Sequence, residues 1–434
     1  MLSRVMGSIL LSRLGWSAMN RHLVELEQAQ TFDADRLAEW QQERLFRLLS
    51  HARDTTDFYG CLIPANLSPS SAKAVLNSLP LISRQMLRAE SERFVSNAFP
   101  KRKLHLHHTS GSTGIPLPFW RDRDSLLRQK AEVAYFGSWA GYEIGARYLY
   151  IGPNRPRIRG WIRNETSLWS THPDDSWFES LARKLQTRRV KILIAHPSIL
   201  IPFTGYLSRA ASSTTSVPSL RGVISISEPL MPEARLRIER LLECPVLCRY
   251  STREVGIIAS ECSEKRYHVN VGSSYVEYFK LNEDRPNGDG GSSRAIVTSL
   301  SNYGMPFIRY DTGDVVIPGA APCGCGRLSP VLLRIEGRVF DAITTPDGLQ
   351  VEAFDLCSQF EDLPEVGQFQ FLQLRDGSYR ISIVTSPVSG DPVRKEIARR
   401  FRGILGESSV ISIEQVESIP PLPSGKTPPI RRES

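Results

Sequence analysis

The sequence predicts an α/β protein with a large N-terminal domain of parallel or mixed sheets flanked by helices, followed by a small α+β domain. Helical and strand patterns alternate between residues 178 and 251, an order typical of parallel crossovers. After Gly337-Arg338, three strand patterns surround one helical pattern. With 434 residues, 41% of them hydrophobic, the chain is long enough to bury more than one core.

Each element follows from local periodicity. Leucines spaced by threes and fours predict helices between residues 21 and 60, and a similar stripe predicts a helix over 122–140. The alternating region reads as helix 178–187, strand 190–195, helix 198–211, strand 222–226, helix 232–243 and strand 246–250. Strands are then predicted at 276–281 and 295–299, joined by a polar connection at 282–294. The small domain reads as strands 369–374, 379–385 and 410–416 around helix 393–405.

A hydroxyl-rich run precedes the helix at 122–140. Residues 108–116 read His-Thr-Ser-Gly-Ser-Thr-Gly-Ile-Pro, with four hydroxyl residues and two glycines. Such a run offers backbone N–H groups and hydroxyl donors to a polyphosphate. It is not a Walker loop, because no Lys-Ser/Thr pair follows the second glycine. Turns use the same residue types, so the run alone indicates either an ordinary loop or a phosphate site.

Polar residues follow three strands of the alternating region. They are His196-Pro197-Ser198, Ser227-Glu228-Pro229 and the segment from Tyr250 to Glu254. Ligands of parallel sheets bind at the carboxyl ends of the strands, so these segments indicate a binding site.

Three cysteines and one histidine fall into two short segments. Cys262 and His268 lie close in sequence, and Cys323-Gly-Cys325 follows later. Three thiolates and one imidazole match a closed tetrahedral zinc site, although buried free cysteines are also common. The other cysteines have no such partners and read as core or surface residues; they are Cys61, Cys244, Cys248 and Cys357.

Charge and composition limit the function classes. The net charge of +8 suits an anionic ligand, but Lys and Arg are dispersed among nearly as many acids, so we expect no nucleic-acid partner. Arg4 and Arg13 interrupt the apolar start, and no small-residue cleavage site follows. We therefore expect a cytoplasmic protein without a membrane span.

Five motifs occur together and in order. They are the loop at 109–116, Tyr-x-x-x-Glu at 250–254, Arg-Tyr-Asp-Thr-Gly-Asp at 309–314, Gly-Arg-x-x-Asp at 337–341 and Ser-Gly-Lys at 424–426. In this the chain resembles the adenylate-forming enzymes. Leu79-Pro80-Leu81 and Ser227-Glu228-Pro229 make it most similar to the phenylacetate-CoA ligase-like branch, which includes capsule-biosynthesis and amide-forming relatives.

The resemblance implies roles for individual residues. Asp314 would bind the ribose of ATP, Tyr250 would stack on adenine and Glu228 would lie beside the base. Glu254 would ligate Mg²⁺, and Lys426 would serve as the adenylation lysine. Phosphates would be held by Thr109, Ser110, Gly111, Ser112, Thr113 and Gly114, with Arg338 reaching the ribose or phosphate. The implied domains are residues 1–336, a hinge at 337–341 and a mobile lid at 342–434.

The chain departs from the family pattern in two places. Ser251 replaces a glycine and Arg253 a hydroxyl residue before Glu254, so Arg253 indicates either a fixed positive charge for the phosphates or an altered site. Phe340 stands where the hinge of the family commonly has Asp or Lys.

The resemblance implies activation of a carboxylic acid, aryl or similar, as an acyl-adenylate, followed by transfer to coenzyme A. An amine acceptor is the close alternative, and a catalytically silent, zinc-stabilised basic protein is the alternative from another class. The predicted walls of the acid pocket are Tyr135, Phe136, Trp139, His196 and Ser198. Aromatic residues on a helix are more often part of a core than in contact with substrate. The sequence identifies neither the acid nor the oligomeric state.

Overall fold

The computed structural model describes residues 16–109, 117–152, 164–170, 173–210, 219–281, 283–288, 290–320, 322–338, 343–345, 348, 350–351, 353–360, 363, 365–385, 390–417, 419–420 and 429–433. The chain forms two compact units. The first unit comprises residues 1–139 and 249–335, and the second comprises residues 140–248 and 336–434.

In chain order the described helices are α1 (Trp16–Ala29), α2 (Ala34–Thr55), α3 (Asp57–Gly60), α4 (Ala72–Ser78), α5 (Arg84–Ala89), α6 (Arg123–Ser138), α7 (Asp175–Thr187), α8 (Pro197–Ala210), α9 (Pro232–Leu242), α10 (Ala353–Ser358) and α11 (Gly390–Leu405). Aspartates cap several of them. Asp33, Asp122 and Asp174 accept hydrogen bonds from backbone N–H groups in the first turns of α2, α6 and α7. These caps fix where the helices begin.

The described strands are β1 (His105–His108), β2 (Pro118–Arg121), β3 (Tyr148–Ile151), β4 (Glu165–Leu168), β5 (Ile192–Ala195), β6 (Gly222–Ile226), β7 (Val246–Thr252), β8 (Gly256–Glu261), β9 (Tyr267–Val269), β10 (Ser274–Phe279), β11 (Ser293–Ser299), β12 (Tyr310–Gly319), β13 (Val331–Arg338), β14 (Ile343–Thr344), β15 (Gln350–Val351), β16 (Val366–Gln373), β17 (Tyr379–Thr385), β18 (Ile411–Gln415) and β19 (Ile430–Arg432).

The first unit is built on antiparallel pairing. Its strands follow the order β10-β11-β12-β13-β9-β8, residues 249–252 of β7 pair with β8, and β1 and β2 form a separate hairpin. Leu45 and Leu48 of α2 share one apolar core with Val297 of β11 and with Phe307. The N-terminal helices thus bury their apolar stripe against the same layer that carries the motif at 309–314.

The second unit contains the parallel sheet that the alternating pattern predicts. The order is β7-β6-β5-β3-β4, with parallel pairing of β6 with β5, β5 with β3 and β3 with β4. Leu181 of α7, Phe203 of α8 and Ile238 of α9 pack with the buried strands. The carboxyl ends of β5 and β6 therefore lie at one edge of this sheet.

The C-terminal residues of the second unit form a four-stranded sheet in the order β18-β17-β16-β19. Strands β16 and β17 are antiparallel, whereas β18 and β19 are parallel to their neighbours. Phe401 of α11 and Phe371 of β16 stack with ring centroids 5.6 Å apart inside this core. The α+β character expected after residue 342 is what the structure has.

The predicted α/β fold is confirmed, and the differences have local causes. The predicted helices and strands of the alternating region are present, with bounds shifted by a few residues. The predicted strands do not include β1–β4, β8, β9, β12–β15 or β19. Strand β8 is buried at every position, so it lacks the apolar and polar alternation that identifies a half-buried strand. None of the helices in the described ranges combines the length and apolar character needed to cross a bilayer.

We expect Gly222→Ala to destabilise the second unit. A Cβ at Gly222 of β6 would lie well inside the van der Waals surface of the Ala140 carbonyl oxygen, and backbone cannot move aside cheaply. Overpacking of this kind costs about 1–3 kcal/mol. Thermal melting should show a clear decrease for Gly222→Ala. Gly205→Ala is the control, because Gly205 lies within α8 with its nearest neighbouring atom at 3.5 Å, and it should leave the melting temperature unchanged or raised.

Candidate active site

Glu254 lies in a tight turn between β7 and β8 of the first unit. The turn comprises residues 253–255, and Gly256 begins β8 with φ of +91°, a conformation that favours glycine. The pairing of β7 with β8 shifts register between Tyr250 and Ser251. A bulge of this kind redirects the side chains that follow it. The departure at Ser251 thus falls at the bulge that leads into the turn.

The carboxylate of Glu254 is buried and held through one oxygen. Its Oε1 accepts a hydrogen bond from Arg84 Nη2 at 2.8 Å and another from Tyr310 Oη at 3.0 Å, and the residue is only 2% exposed. Among the described residues, no hydrogen bond reaches Oε2. A buried carboxylate needs such partners, because desolvation without compensation is costly.

Arg84 lies beside this carboxylate because two segments that are far apart in sequence pair through their backbones. Ile82 N donates to the Arg309 carbonyl oxygen and Ile82 O accepts from Asp311 N, each at 2.9 Å. This bridge sets Ile82 beside Tyr310, and α5 begins two residues later at Arg84. Burial raises the pKa of the Tyr310 hydroxyl, which therefore remains a donor to Glu254. Sequence reasoning missed Arg84, since an arginine at a helix start usually reads as surface charge.

Arg309 holds the segment that leads to Arg84. It adopts φ of +53°, and its guanidinium donates to the carbonyl oxygen of Asn77 at 2.9 Å and to that of Leu79. It also pairs with Glu277 at 3.2 Å. The arginine that opens the 309–314 motif thus holds the chain that carries Arg84.

Tyr250 and Asp314, the predicted adenine and ribose residues, are in direct contact. Tyr250 Oη donates to Asp314 Oδ2 at 2.8 Å, and both residues are 8% exposed. Thr312 Oγ1 accepts from Asp314 N at 3.1 Å. The structure therefore brings an aromatic ring and a carboxylate together, which is the pair that an adenosine could contact.

The ends of the predicted phosphate loop lie in the same unit. Thr109 and Leu117 face each other, with Thr109 N donating to Leu117 O at 3.0 Å and Leu117 N donating to Thr109 Oγ1 at 2.9 Å. Arg253 Nη1 donates to the carbonyl oxygen of His108 at 3.1 Å. The hydroxyl of Thr109 is thus used in closing the hairpin. Ser110, Gly111, Ser112, Thr113 and Gly114 lie outside the described residues.

The second unit brings His196, Ser198 and Glu228 together at the ends of β5 and β6. Glu228 accepts from Ser198 N at 2.9 Å and from Ser198 Oγ at 3.1 Å, and His196 Nδ1 lies 3.9 Å from Glu228 Oε1. The carboxylate sits at the N-terminus of α8, where negative charge is favoured. Ser198 and Glu228 also border a largely apolar cavity, the usual form of a small-molecule site.

Other predicted residues of this part of the chain are less informative. Arg338 ends β13, whereas Phe340 and Lys426 lie outside the described residues. The predicted hinge and the adenylation lysine therefore stay predictions.

Tyr135 and Trp139 lie beside the cysteine and histidine cluster of the first unit. The Trp139 ring is 5.9 Å from the His268 ring, and the Arg327 guanidinium lies 3.9 Å from the Trp139 centroid. Tyr135 packs edge-on against Trp139 and against Phe136 at the end of α6. A role of these aromatic residues in an acid pocket stays a prediction.

Cys262, His268, Cys323 and Cys325 converge in the first unit, with their ligand atoms all within 4.8 Å of one another. Cys262 Sγ and Cys323 Sγ are 3.7 Å apart. In a tetrahedral site with Zn–S bonds of about 2.3 Å, two sulfurs lie about 3.8 Å apart, so the spacing fits zinc. A disulfide, with S–S near about 2.05 Å, does not match this distance.

Neighbouring residues orient the imidazole of this cluster. His268 Nδ1 is 2.9 Å from Ser329 Oγ, and Ser329 Oγ donates to Gln30 Oε1 at 2.6 Å. Nε2 of His268 then faces Cys325 Sγ at 3.2 Å. Burial lowers the pKa of His268 to about 4, so the ring is neutral near pH 7, as a metal ligand must be.

The chain is 24% identical to the phenylacetate-coenzyme A ligase of Escherichia coli (strain K12) over 91% of this chain and 95% of that protein. It is 23% identical to the phenylacetate-coenzyme A ligase of Thermus thermophilus, over 86% of each. The family model described as the CapK C-terminal domain matches residues 343–433.

A solved structure of 2-hydroxyisobutyryl-CoA ligase in complex with 2-HIB-AMP superimposes with a TM-score of 0.75. It is 18% identical, over 90% of this chain and 88% of that one. Another structure of that ligase, with 2-HIB-AMP and CoA, gives a TM-score of 0.60 at 17% identity over 94% and 92%.

The chain is thus similar to phenylacetate-coenzyme A ligases over most of its length, and it has the fold of adenylate-forming ligases. The predicted resemblance is thereby confirmed. The contact between Tyr250 and Asp314 and the buried Glu254 are the parts of the described site on which a functional proposal can rest.

Proposed function

We propose that the protein activates a carboxylic acid with ATP and Mg²⁺ as an acyl-adenylate and then transfers the acyl group to the thiol of coenzyme A. The observation that carries the proposal is that Tyr250, Asp314, Glu254 and the ends of the 110–116 loop lie together in one unit. They supply a ring for adenine, a carboxylate for ribose hydroxyls and an oxygen ligand for a hard cation.

In the first step, a carboxylate oxygen of the acid attacks the α-phosphorus of ATP, and the bond from that phosphorus to the bridging oxygen breaks. Pyrophosphate leaves with the electron pair. Glu254 would hold Mg²⁺, which neutralises phosphate charge when bound. Arg253, fixed beside His108, adds a cation near the loop that would hold the β- and γ-phosphates. Lys426 would lie between the two reacting anions and lower their repulsion.

In the second step, the thiol sulfur attacks the acyl carbon, the bond from that carbon to the phosphate oxygen breaks, and AMP leaves. The thiol proton passes to solvent. An amine would attack the same acyl carbon and displace AMP to give an amide. An experiment must therefore distinguish a thiol acceptor from an amine acceptor. Both relatives in the sequence comparison are CoA ligases by name, which favours the thiol.

The test is ATP–pyrophosphate exchange across a panel of aryl, indolyl and aliphatic acids, followed by product analysis with coenzyme A and with amines. Exchange with one acid class and a thioester product support the proposal. An amide product would show that the acceptor is an amine rather than coenzyme A. Absence of exchange with every acid, in protein that is folded, would leave the catalytically silent binding protein as the better account.

We expect Glu254→Gln to lower the exchange rate by at least about a hundredfold, equivalent to about 2.7 kcal/mol, because the amide cannot provide an anionic metal ligand. Circular dichroism should show a folded protein. Glu25→Gln is the matched control, since Glu25 is also paired with arginines of this unit, Arg44 and Arg128, rather than with the groups that hold Glu254. Normal Mg²⁺-dependent exchange in Glu254→Gln would exclude the metal-ligand role.

We expect Lys426→Ala to slow adenylate formation by about a hundredfold or more, the effect of losing one preorganised donor worth on the order of 3 kcal/mol. ATP binding and folding should be largely retained. A synthetic acyl-adenylate should restore thioester formation, because that step does not need the charge. Lys395→Ala, an exposed lysine of α11, is the control. Adenylate formation at the wild-type rate would make residues 420–429 an ordinary tail.

We also propose one structural zinc ion bound by Cys262, His268, Cys323 and Cys325, supported by the 3.7 Å sulfur spacing and the oriented imidazole. We expect about one equivalent of zinc by mass spectrometry and a decrease in melting temperature with chelator, since structural zinc contributes folding free energy. Cys323→Ser should lose the metal, whereas Cys61→Ser, at an exposed site, should keep it. Less than roughly a tenth of an equivalent in freshly purified protein would contradict this.

A further inference from the structure

We propose that Arg121 is a positioning residue for Glu254, and that it fixes the turn carrying this carboxylate relative to the hairpin that carries the predicted phosphate loop. The inference rests on the proposed role of Glu254 in holding Mg²⁺. Arg121 is not expected to touch ATP, metal or acid. It acts through the backbone of the turn.

The geometry of Arg121 is specific to the turn. Arg121 ends β2 and is 3% exposed. Its Nη2 donates to the carbonyl oxygen of Arg253 and to that of Glu254, each at 3.0 Å. Among the described residues these are its hydrogen bonds. A single NH₂ group therefore binds two successive peptide oxygens of a three-residue turn that lies between two strands, and buried peptide oxygens need such partners.

A second contact ties the turn to the same hairpin. Arg253 Nη1 donates to the carbonyl oxygen of His108, the last residue of β1, at 3.1 Å. Strands β1 and β2 pair with each other, and the predicted phosphate loop connects the end of β1 to the start of β2. The turn is thus bonded to the last residue of each strand of the hairpin. A shift of the turn relative to this hairpin would therefore break these hydrogen bonds.

Carboxylates compensate the charge of Arg121, whereas its hydrogen bonds go to backbone carbonyl oxygens. Burial lowers the pKa of Arg121, while Glu132, Asp122 and Glu254 raise it. Burying a guanidinium costs several kcal/mol unless charge partners offset it, and the 3% exposed Glu132 has the largest such effect. The hydrogen bonds themselves are directed entirely to the turn. Arg121 thus differs from an arginine that donates its hydrogen bonds to the same carboxylate that compensates its charge.

The affinity for Mg²⁺ depends on the position of the Glu254 carboxylate. The ion demands near-octahedral geometry with oxygen ligands at about 2.0–2.1 Å, so a ligand displaced by a fraction of an ångström binds poorly. Loss of the groups that orient metal ligands typically costs about 10–100-fold in metal affinity. Arg84 and Tyr310 fix the side chain of Glu254 at Oε1, whereas Arg121 fixes its backbone. Removing Arg121 should therefore weaken metal binding without removing a ligand.

Arg128 provides a matched control. It is 2% exposed, lies on α6 in the same unit and also faces Glu132, at 3.9 Å. Its hydrogen bonds go to Ser273 Oγ, to the Gly272 carbonyl oxygen, to Glu25 and to His22 Nδ1. Among the residues that the structure describes, none of these bonds reaches 253–254. Arg128→Lys thus alters a buried guanidinium of the same unit without touching the turn.

The experiment is a Mn²⁺ titration followed by electron paramagnetic resonance, in the presence of a non-hydrolysable ATP analogue, for the wild type, Arg121→Lys and Arg128→Lys. Melting temperatures are recorded in parallel. We expect both variants to be less stable, but only Arg121→Lys to weaken nucleotide-dependent Mn²⁺ binding, by about tenfold or more. The apparent Mg²⁺ requirement for pyrophosphate exchange should rise in the same variant.

Equal Mn²⁺ affinity in Arg121→Lys and wild type, or equal weakening in both variants, would overturn the positioning role. Failure of the wild type to bind Mn²⁺ with nucleotide would instead count against the proposed function of Glu254. If Arg121→Lys does not fold, Arg121→Gln and Arg128→Gln are titrated under the same criteria, since glutamine keeps an NH₂ donor on a shorter side chain.

Discussion

A buried carboxylate organises the first unit. Glu254 is shielded from water, and it is tolerable there because Arg84 and Tyr310 both donate to Oε1. These two residues come from widely separated segments of the chain. Their convergence depends in turn on the backbone bridge at Ile82 and on the anchoring of that segment by Arg309. The site is thus a consequence of how the N-terminal helices dock on the sheet.

Strand β8 connects this carboxylate with the cysteine and histidine cluster. Glu254 lies two residues before the strand begins at Gly256, and Cys262 follows directly after it ends at Glu261. Strand β9, which carries His268, pairs with β8. A metal ion bound at the cluster would therefore restrain the far end of the strand that leads out of the active-site turn. This gives the proposed zinc a structural link to the nucleotide site without a chemical role there.

The parts of this architecture that follow from local pattern were predictable, and those that depend on distant contacts were not. Alternating periodicity predicted the parallel strands β5 and β6 with their intervening helix. Motif order predicted that Tyr250 and Asp314 belong to one site. By contrast, the roles of Arg84 and Arg121 depend on hydrogen-bond partners about 170 and 130 residues away in sequence. No local pattern distinguishes these two residues from other arginines. Trp139 had helical spacing compatible with either a pocket or a core, and its neighbour proved to be His268.

The most direct test of the account is a crystal structure with a non-hydrolysable ATP analogue and Mn²⁺, using anomalous scattering to locate the metal. We expect a Mn²⁺ ion in contact with a Glu254 carboxylate oxygen, with adenine against Tyr250 and the ribose hydroxyls on Asp314. Arg84 should still donate to Oε1. Nucleotide bound away from Tyr250 and Asp314, or metal bound without Glu254, would contradict it.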